Sequence, residues 1–164
     1  SLMHHRFTFV IAGTGDSDYE THLKKLLLDT GLVQRTRMVG FVEGNTKALY
    51  LQGSDVFALT SHSENFGVAV LEALASGLPA VVTPGVALAH LIEHHQFGIV
   101  SALDQEKIAA AILTCLNQPD LMGEMGDRAR QFILENYTWD KIASQLIETY
   151  DAIINNKPLP HHYA

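Results

Sequence analysis

Apolar residues along this chain fall into two patterns that take turns. Short runs with little polar interruption, at residues 7–12, 37–39, 55–60, 80–83 and 98–101, read as buried strands. Between them lie segments with apolar residues every three or four positions, at 19–30, 45–52, 66–76 and 88–94, and these read as helices. Gly77 and Pro79 close the third of them. Regular alternation of strand and helix predicts an α/β fold, a Rossmann-like parallel sheet with helices on both faces. Three further helices are expected at 105–117, 121–136 and 139–155. In the last, Trp139, Ile142, Leu146, Ile147, Tyr150, Ile153 and Ile154 keep helical spacing, the mark of a packing helix. No internal repeat or low-complexity linker interrupts the chain, so residues 1–164 are expected to form one domain, with 105–155 as its C-terminal helices.

Composition narrows the function classes. At 164 residues with 47% hydrophobic content the chain can bury one substantial core, and no apolar run approaches the length of a membrane helix. Ser1-Leu2-Met3-His4-His5-Arg6 leads straight into a strand, so no signal peptide is expected. A net charge of −7 argues against a nucleic-acid surface or an anionic membrane surface, since both select basic patches. The single cysteine, Cys115, lies on an apolar helix side with Ile108, Ala111 and Ile112; a disulfide framework is excluded and a buried thiol in a reducing cytoplasm is expected. His4-His5, His94-His95 and His161-His162 are scattered pairs without cysteine or carboxylate at ligand spacing, so no metal site is expected.

Candidate chemistry concentrates at residues 63–79, a strand, loop and helix in sequence. Val68, Leu71, Leu74 and Ala75 share one apolar helix face, Glu72 is the only charge within 66–76, and Glu64 stands just before the first turn. Eight helical residues would set the two carboxylates about 12 Å apart, the reach of a nucleotide-diphosphate sugar. The amides around Asn65, Phe66 and Gly67 form the positive end of the helix and suit a diphosphate, and Gly67 permits close approach. Glu64 is then suited to sugar hydroxyls and Glu72 to ribose hydroxyls. Each glutamate also has an ordinary reading: Glu64 as a first-turn acid favoured by the helix dipole, Glu72 as a solvent-facing side chain. Gly13-Thr14-Gly15 follows a strand and precedes a helix as a phosphate loop would, yet it lacks a third glycine and equally reads as a plain turn. Asp16 and Asp18 are placed to cap the helix after it, and His62 either touches a ligand or completes a polar loop.

Glu64-Asn65-Phe66-Gly67 followed by Glu72-Ala73-Leu74-Ala75-Ser76-Gly77-Leu78-Pro79 resembles the Glu-x7-Glu signature of family 4 retaining glycosyltransferases, which have the GT-B fold. Phe9-Val10-Ile11-Ala12-Gly13-Thr14-Gly15, Met38-Val39-Gly40-Phe41-Val42, Ser54-Asp55-Val56-Phe57-Ala58-Leu59-Thr60-Ser61 and Tyr137-Thr138-Trp139 resemble that family's C-terminal domain in the same order. The resemblance implies a donor domain that binds a nucleotide-diphosphate sugar for retaining hexosyl transfer, with no cofactor and no metal. It implies a donor site of Gly13, Gly40, Val42, Glu64, Asn65, Phe66, Gly67, Val68 and Glu72. Within it Glu64 is the catalytic residue contacting the transferred sugar, the Phe66 and Gly67 amides meet phosphate or sugar, and Glu72 holds the ribose. The Gly13 turn and the loop from Gly40 to Val42 would line the phosphate and base ends. The implied partners are the nucleotide sugar and an N-terminal acceptor domain, and the implied setting is the cytoplasm, or the inner membrane face for a full-length protein.

The family's domain normally opens with an earlier strand and helix whose Arg and Lys neutralise the donor diphosphate. This chain is expected to begin after them, since Arg6, Lys24 and Lys25 do not match, so transfer by this chain alone is not expected and donor binding should be weakened. That earlier strand would lie between 7–12 and 55–60. Either these two strands pair directly, or a partner chain covers their edges in a homodimer. At 83–88 the family usually carries paired glycines, whereas here only Gly85 stands, so a full backbone contact to diphosphate is not expected. Two other classes share the fold and remain open: half of a nucleotide-sugar epimerase or sugar phosphorylase, and a non-catalytic interaction module.

Overall fold

The structure, a computed structural model, describes residues 6–160. Two of the histidine pairs, His4-His5 and His161-His162, and the opening Ser1 to His5 lie outside the described residues. The chain divides into two compact units, Ser1–Gly53 and Ser54–Ala164.

In the first unit β1 (Phe9–Ala12) is followed by α1 (Ser17–Asp29), a short 3-10 turn at Val33–Arg35, β2 (Thr36–Gly40) and α2 (Gly44–Gln52). The strands pair in parallel with Phe9 opposite Thr36 and Ile11 opposite Met38, and the register slips between Ile11 and Ala12. Asp16 caps α1 as its position in the sequence suggests, its carboxylate accepting from the Tyr19 amide at 2.8 Å. Helix α1 buries Leu27 and leaves the polar side exposed.

The second unit carries β3 (Phe57–Leu59), α3 (Val68–Ala75), β4 (Ala80–Val82), α4 (Ala89–His95), β5 (Gly98–Val100), α5 (Gln105–Asn117), α6 (Pro119–Asn136) and α7 (Trp139–Ile154). The parallel sheet runs β3-β4-β5, so β4 is central and buried on both faces, as a fully apolar Ala-Val-Val strand requires. Ala80 and Val82 join Val70, Leu74, Ile92, Ala129 and Ile133 on one face, while Val81 meets Ala111, Cys115 and Met122 on the other. Cys115 is buried as expected, and its burial pushes the thiol up to about 11. No helix among the described residues is long and apolar enough to cross a membrane.

Two expectations need correction. First, α7 is not a packing helix within this chain. Only Ala152 is buried on it, and Trp139 is 89% exposed and Ile154 77% exposed. Helical spacing reports an amphipathic surface and says nothing of what covers it. Second, the central helix begins at Val68 instead of Phe66, because Gly67 takes a left-handed conformation that ends the loop and leaves Phe66 outside the helix.

His95 packs its ring against Phe97 and Phe132, with centroids 5.2 and 4.4 Å away, and His94 stands edge-on to it at 4.7 Å. Burial first, then the neighbouring His94 and His90, hold its pKa below the ordinary 6.5. The unfolded chain therefore binds this proton more readily than the folded one, and stability is expected to fall as pH drops below 6.5 and through the lower folded value. Thermal melting between about pH 7 and pH 5 tests this: His95→Gln should melt with a shallower pH slope than the parent chain, and equal slopes would refute the assignment.

Candidate functional site

The loop after β3 is held to the loop after β4 by main-chain bonds. The Glu64 amide donates to the Gly85 carbonyl at 2.9 Å, the Ala87 amide donates to the Glu64 carbonyl at 3.1 Å, and Glu64 and Val86 form an isolated parallel bridge. The arrangement continues the β3–β4 pairing for one step past the strand ends. Thr83, 1% exposed, adds a side-chain tie by donating its hydroxyl to the Ser61 carbonyl. Gly85 lets the two loops touch, since a Cβ there would run into the His62 carbonyl. These contacts fix the backbone of Glu64 before any ligand arrives. Its side chain is half-buried, in a loop whose other side chains at His62, Ser63, Asn65 and Phe66 are exposed.

Gly67 turns this loop into α3 with φ of 80° and ψ of 52°. A Cβ at Gly67 would meet Val70, Glu64 and Val86 at 3.4 to 3.5 Å, ordinary contact, so conformation and not space calls for glycine here. No side chain caps α3 and no acid occupies its first turn. The amides of Val68 and Ala69 have no partner among the described residues and open toward solvent, which leaves the positive end of the dipole available to an anion. Glu72 follows one turn later on α3, half-buried, with its carbonyl accepting from the Ser76 amide and hydroxyl. Sequence position thus brings Glu64, Asn65, Phe66, Gly67 and Val68 to one helix mouth, with Glu72 on the same helix.

Gly13 and Gly40 are brought together in the unit Ser1–Gly53. The Gly13 amide donates to the Gly40 carbonyl at 2.7 Å, and both residues have positive φ, 133° and 68°. Val42 is half-buried in the loop between β2 and α2. A cavity of about 180 Å³ lies beside the Gly13 turn, lined by Ala12, Gly13, Gly15, Tyr19, Glu20 and Met38 among others. Its chemistry differs from that at α3. Asp16 already caps α1, Asp18 and Glu20 stand in the first turn, and Glu20 accepts from the Gly15 amide at 3.4 Å. Three carboxylates at a helix start repel phosphate, so this mouth suits hydroxyl or base groups.

Sequence reasoning missed the two residues that hold the Glu64 loop, Thr83 and Ala87. The available signal was the position of the two on either side of Gly85, in the loop that follows a buried strand. At the loop following β4 the amides of Val86 and Ala87 are engaged by Thr83 and Glu64, so they are not free to meet a ligand. No group of three or more His, Cys, Asp or Glu side chains among the described residues is arranged to hold a metal ion.

Comparison with known proteins adds a family to this geometry. The family described as "Glycosyl transferases group 1" matches residues 1–132. An uncharacterized glycosyltransferase, MJ1607, of Methanocaldococcus jannaschii is 31% identical over 150 residues, which are 91% of this chain and 38% of that protein. Phosphatidyl-myo-inositol mannosyltransferase of Mycobacterium leprae is 29% identical over 125 residues, covering 75% of this chain and 33% of the relative. Among solved structures, Anabaena Alr3699/HepE in complex with UDP and glucose superposes with a TM-score of 0.80 at 24% identity, covering 88% of this chain and 40% of that one. Sucrose-phosphate synthase from Thermosynechococcus elongatus gives a TM-score of 0.80 at 22% identity, covering 90% and 39%. At these identities the structural likeness shows the fold.

Proposed function

The chain belongs to the group 1 glycosyltransferase family, and on that premise we propose that the Glu64 loop and the start of α3 bind the diphosphate sugar of a nucleotide donor for retaining hexosyl transfer. The observation that carries this reading is the uncapped, acid-free start of α3 beside a Glu64 whose backbone is already pinned. In this reading the amides at Val68 and Ala69, with those of Phe66 and Gly67, face the phosphates and stabilise the charge that grows on the diphosphate as the sugar departs. Glu64 accepts hydrogen bonds from the hydroxyls of the transferred sugar, and Glu72 from those of the ribose. No metal ion is assigned a role. Gly13, Gly40 and Val42 enter only through the chemistry of their own loop, which suits the uncharged part of a nucleoside better than its phosphates.

The chain spans 38% and 33% of the lengths of the two relatives described above, so we assign acceptor binding to sequence those relatives have and this chain does not match. The names of those relatives favour transfer over epimerisation or phosphorolysis. Calorimetry of the chain with UDP, GDP and ADP at about millimolar concentration tests the reading. Binding of at least one is expected, and Glu72→Ala should weaken it about tenfold through loss of hydrogen bonds to a charged acceptor. Silence with all three nucleotides would sink the proposal, and unchanged affinity in the variant would remove Glu72 from it.

A further inference from the structure

A second cavity, of about 360 Å³, opens in the unit Ser54–Ala164 at the opposite ends of β3 and β4 from the Glu64 loop. Its walls come from the residues just before the two strands, Asp55 and Leu78 among them, and from the junction of α5 and α6. The volume falls within the range of small-molecule sites. Cys115 and Met122, both buried, line it together with Leu116 and Pro119. The proposed donor chemistry uses none of these residues.

Its electrostatics are one-sided. Asp55 is the only charged residue lining the cavity, it is exposed, and it has no ion-pair partner among the described residues. Two helices end at the cavity, α3 with its cap at Ser76 and α5 with its cap at Gln118, and each presents the negative end of its dipole. Helix α6 begins there, but Asp120 in its first turn offsets its positive end. The thiol of Cys115, with its pKa near 11, adds no charge at neutral pH. A half-open cavity with Leu78, Leu116, Pro119 and Met122 on its walls, one carboxylate and two helix C-termini disfavours carboxylates and phosphates and favours a positive group on a small apolar body.

We propose that this cavity is a binding site for a small organic cation, a primary amine carried on a compact apolar group. The ammonium pairs with Asp55 at the mouth, and the apolar body lies against Leu78, Leu116, Pro119 and Met122. Benzylammonium, benzyl alcohol and benzoate share one ring and differ in charge, so they separate the electrostatic part from the apolar part. Titrated into the isotope-labelled chain, benzylammonium is expected to shift the amide resonances of Gly77, Cys115 and Gly123 saturably. Benzyl alcohol should bind about fivefold more weakly, the scale of one partly exposed ion pair, and benzoate should bind less than the alcohol. Asp55→Asn replaces an exposed side chain by its isostere, so the fold is retained. It should bring benzylammonium down to the affinity of the alcohol and leave the alcohol unchanged. Absence of saturable shifts with benzylammonium, equal binding by the alcohol or benzoate, or an unaltered Asp55→Asn variant would each overturn the proposal.

Discussion

Gly126→Ala is expected to destabilise the unit Ser54–Ala164 by about 3 kcal/mol or more, although helix propensity alone favours the change by about 1 kcal/mol. Gly126 is interior to α6 and faces the turn that closes α3. A Cβ there would collide with the Gly77 carbonyl and approach the Pro79 ring at 3.5 Å. Backbone cannot give way as a flexible side chain can, so α6 must move off α3 and open the contact of Val70 and Leu74 with Ala129 and Ile133. Gly123, three residues earlier on the same helix, has nothing within 4 Å of its would-be Cβ. Gly123→Ala should therefore follow propensity and stabilise by about 1 kcal/mol. Urea denaturation of the two variants beside the parent chain decides the matter: the two shifts should have opposite signs, and a Gly126→Ala midpoint at or above the parent's would show that the helices are not in the contact described.

The second large effect is expected at Gly85→Ala, with about 2 kcal/mol or more of stability lost and the backbone around Glu64 displaced. The new methyl would meet the His62 carbonyl, with its carbon at 2.7 Å, and the Ser61 oxygen at 3.2 Å. Relief requires the loops after β3 and β4 to part, and the Glu64 amide bond to Gly85 and the Thr83 bond to Ser61 lie on either side of the collision. Amide resonances of Glu64 and Ala87 should move furthest from their parent positions, and nucleotide binding should weaken with them. Parent-like resonances at both residues, together with an unchanged urea midpoint, would mean that the loops do not hold Glu64 in this way.

Much of the fold was legible because its physics is local. Strand β4 is three apolar residues between Pro79 and Thr83, and burial on both faces follows from that alone. The cap at Asp16 and the stop at Gly77 are likewise decided by neighbours within one turn. Long-range matters were not legible. Which strands of a unit share an edge depends on loop geometry that apolar spacing does not encode, as with β4 standing between β3 and β5. The exposed stripe on α7 repeats the lesson: Leu146, Ile147 and Tyr150 have the spacing of core residues and the accessibility of surface ones. At the candidate site, the grouping of Glu64 with Gly67 and Val68 came from adjacency in the sequence. The residues that steady Glu64 lie about twenty positions away and became visible only through the bonds they make.

The bridge between Glu64 and Val86 separates two kinds of heritable change. It is made only of main-chain groups, so the side chain at position 64 has no part in holding its own backbone in place. Mutation can therefore exchange the side chain there for another while the scaffold beneath it stays the same, as a tool is changed in a fixed holder. Proline at position 64 or 87, which deletes a donated hydrogen, bulk at position 85, or loss of the Thr83 hydroxyl interferes with the holder itself. A lineage carrying this loop can explore new chemistry at one position without first rebuilding the fold.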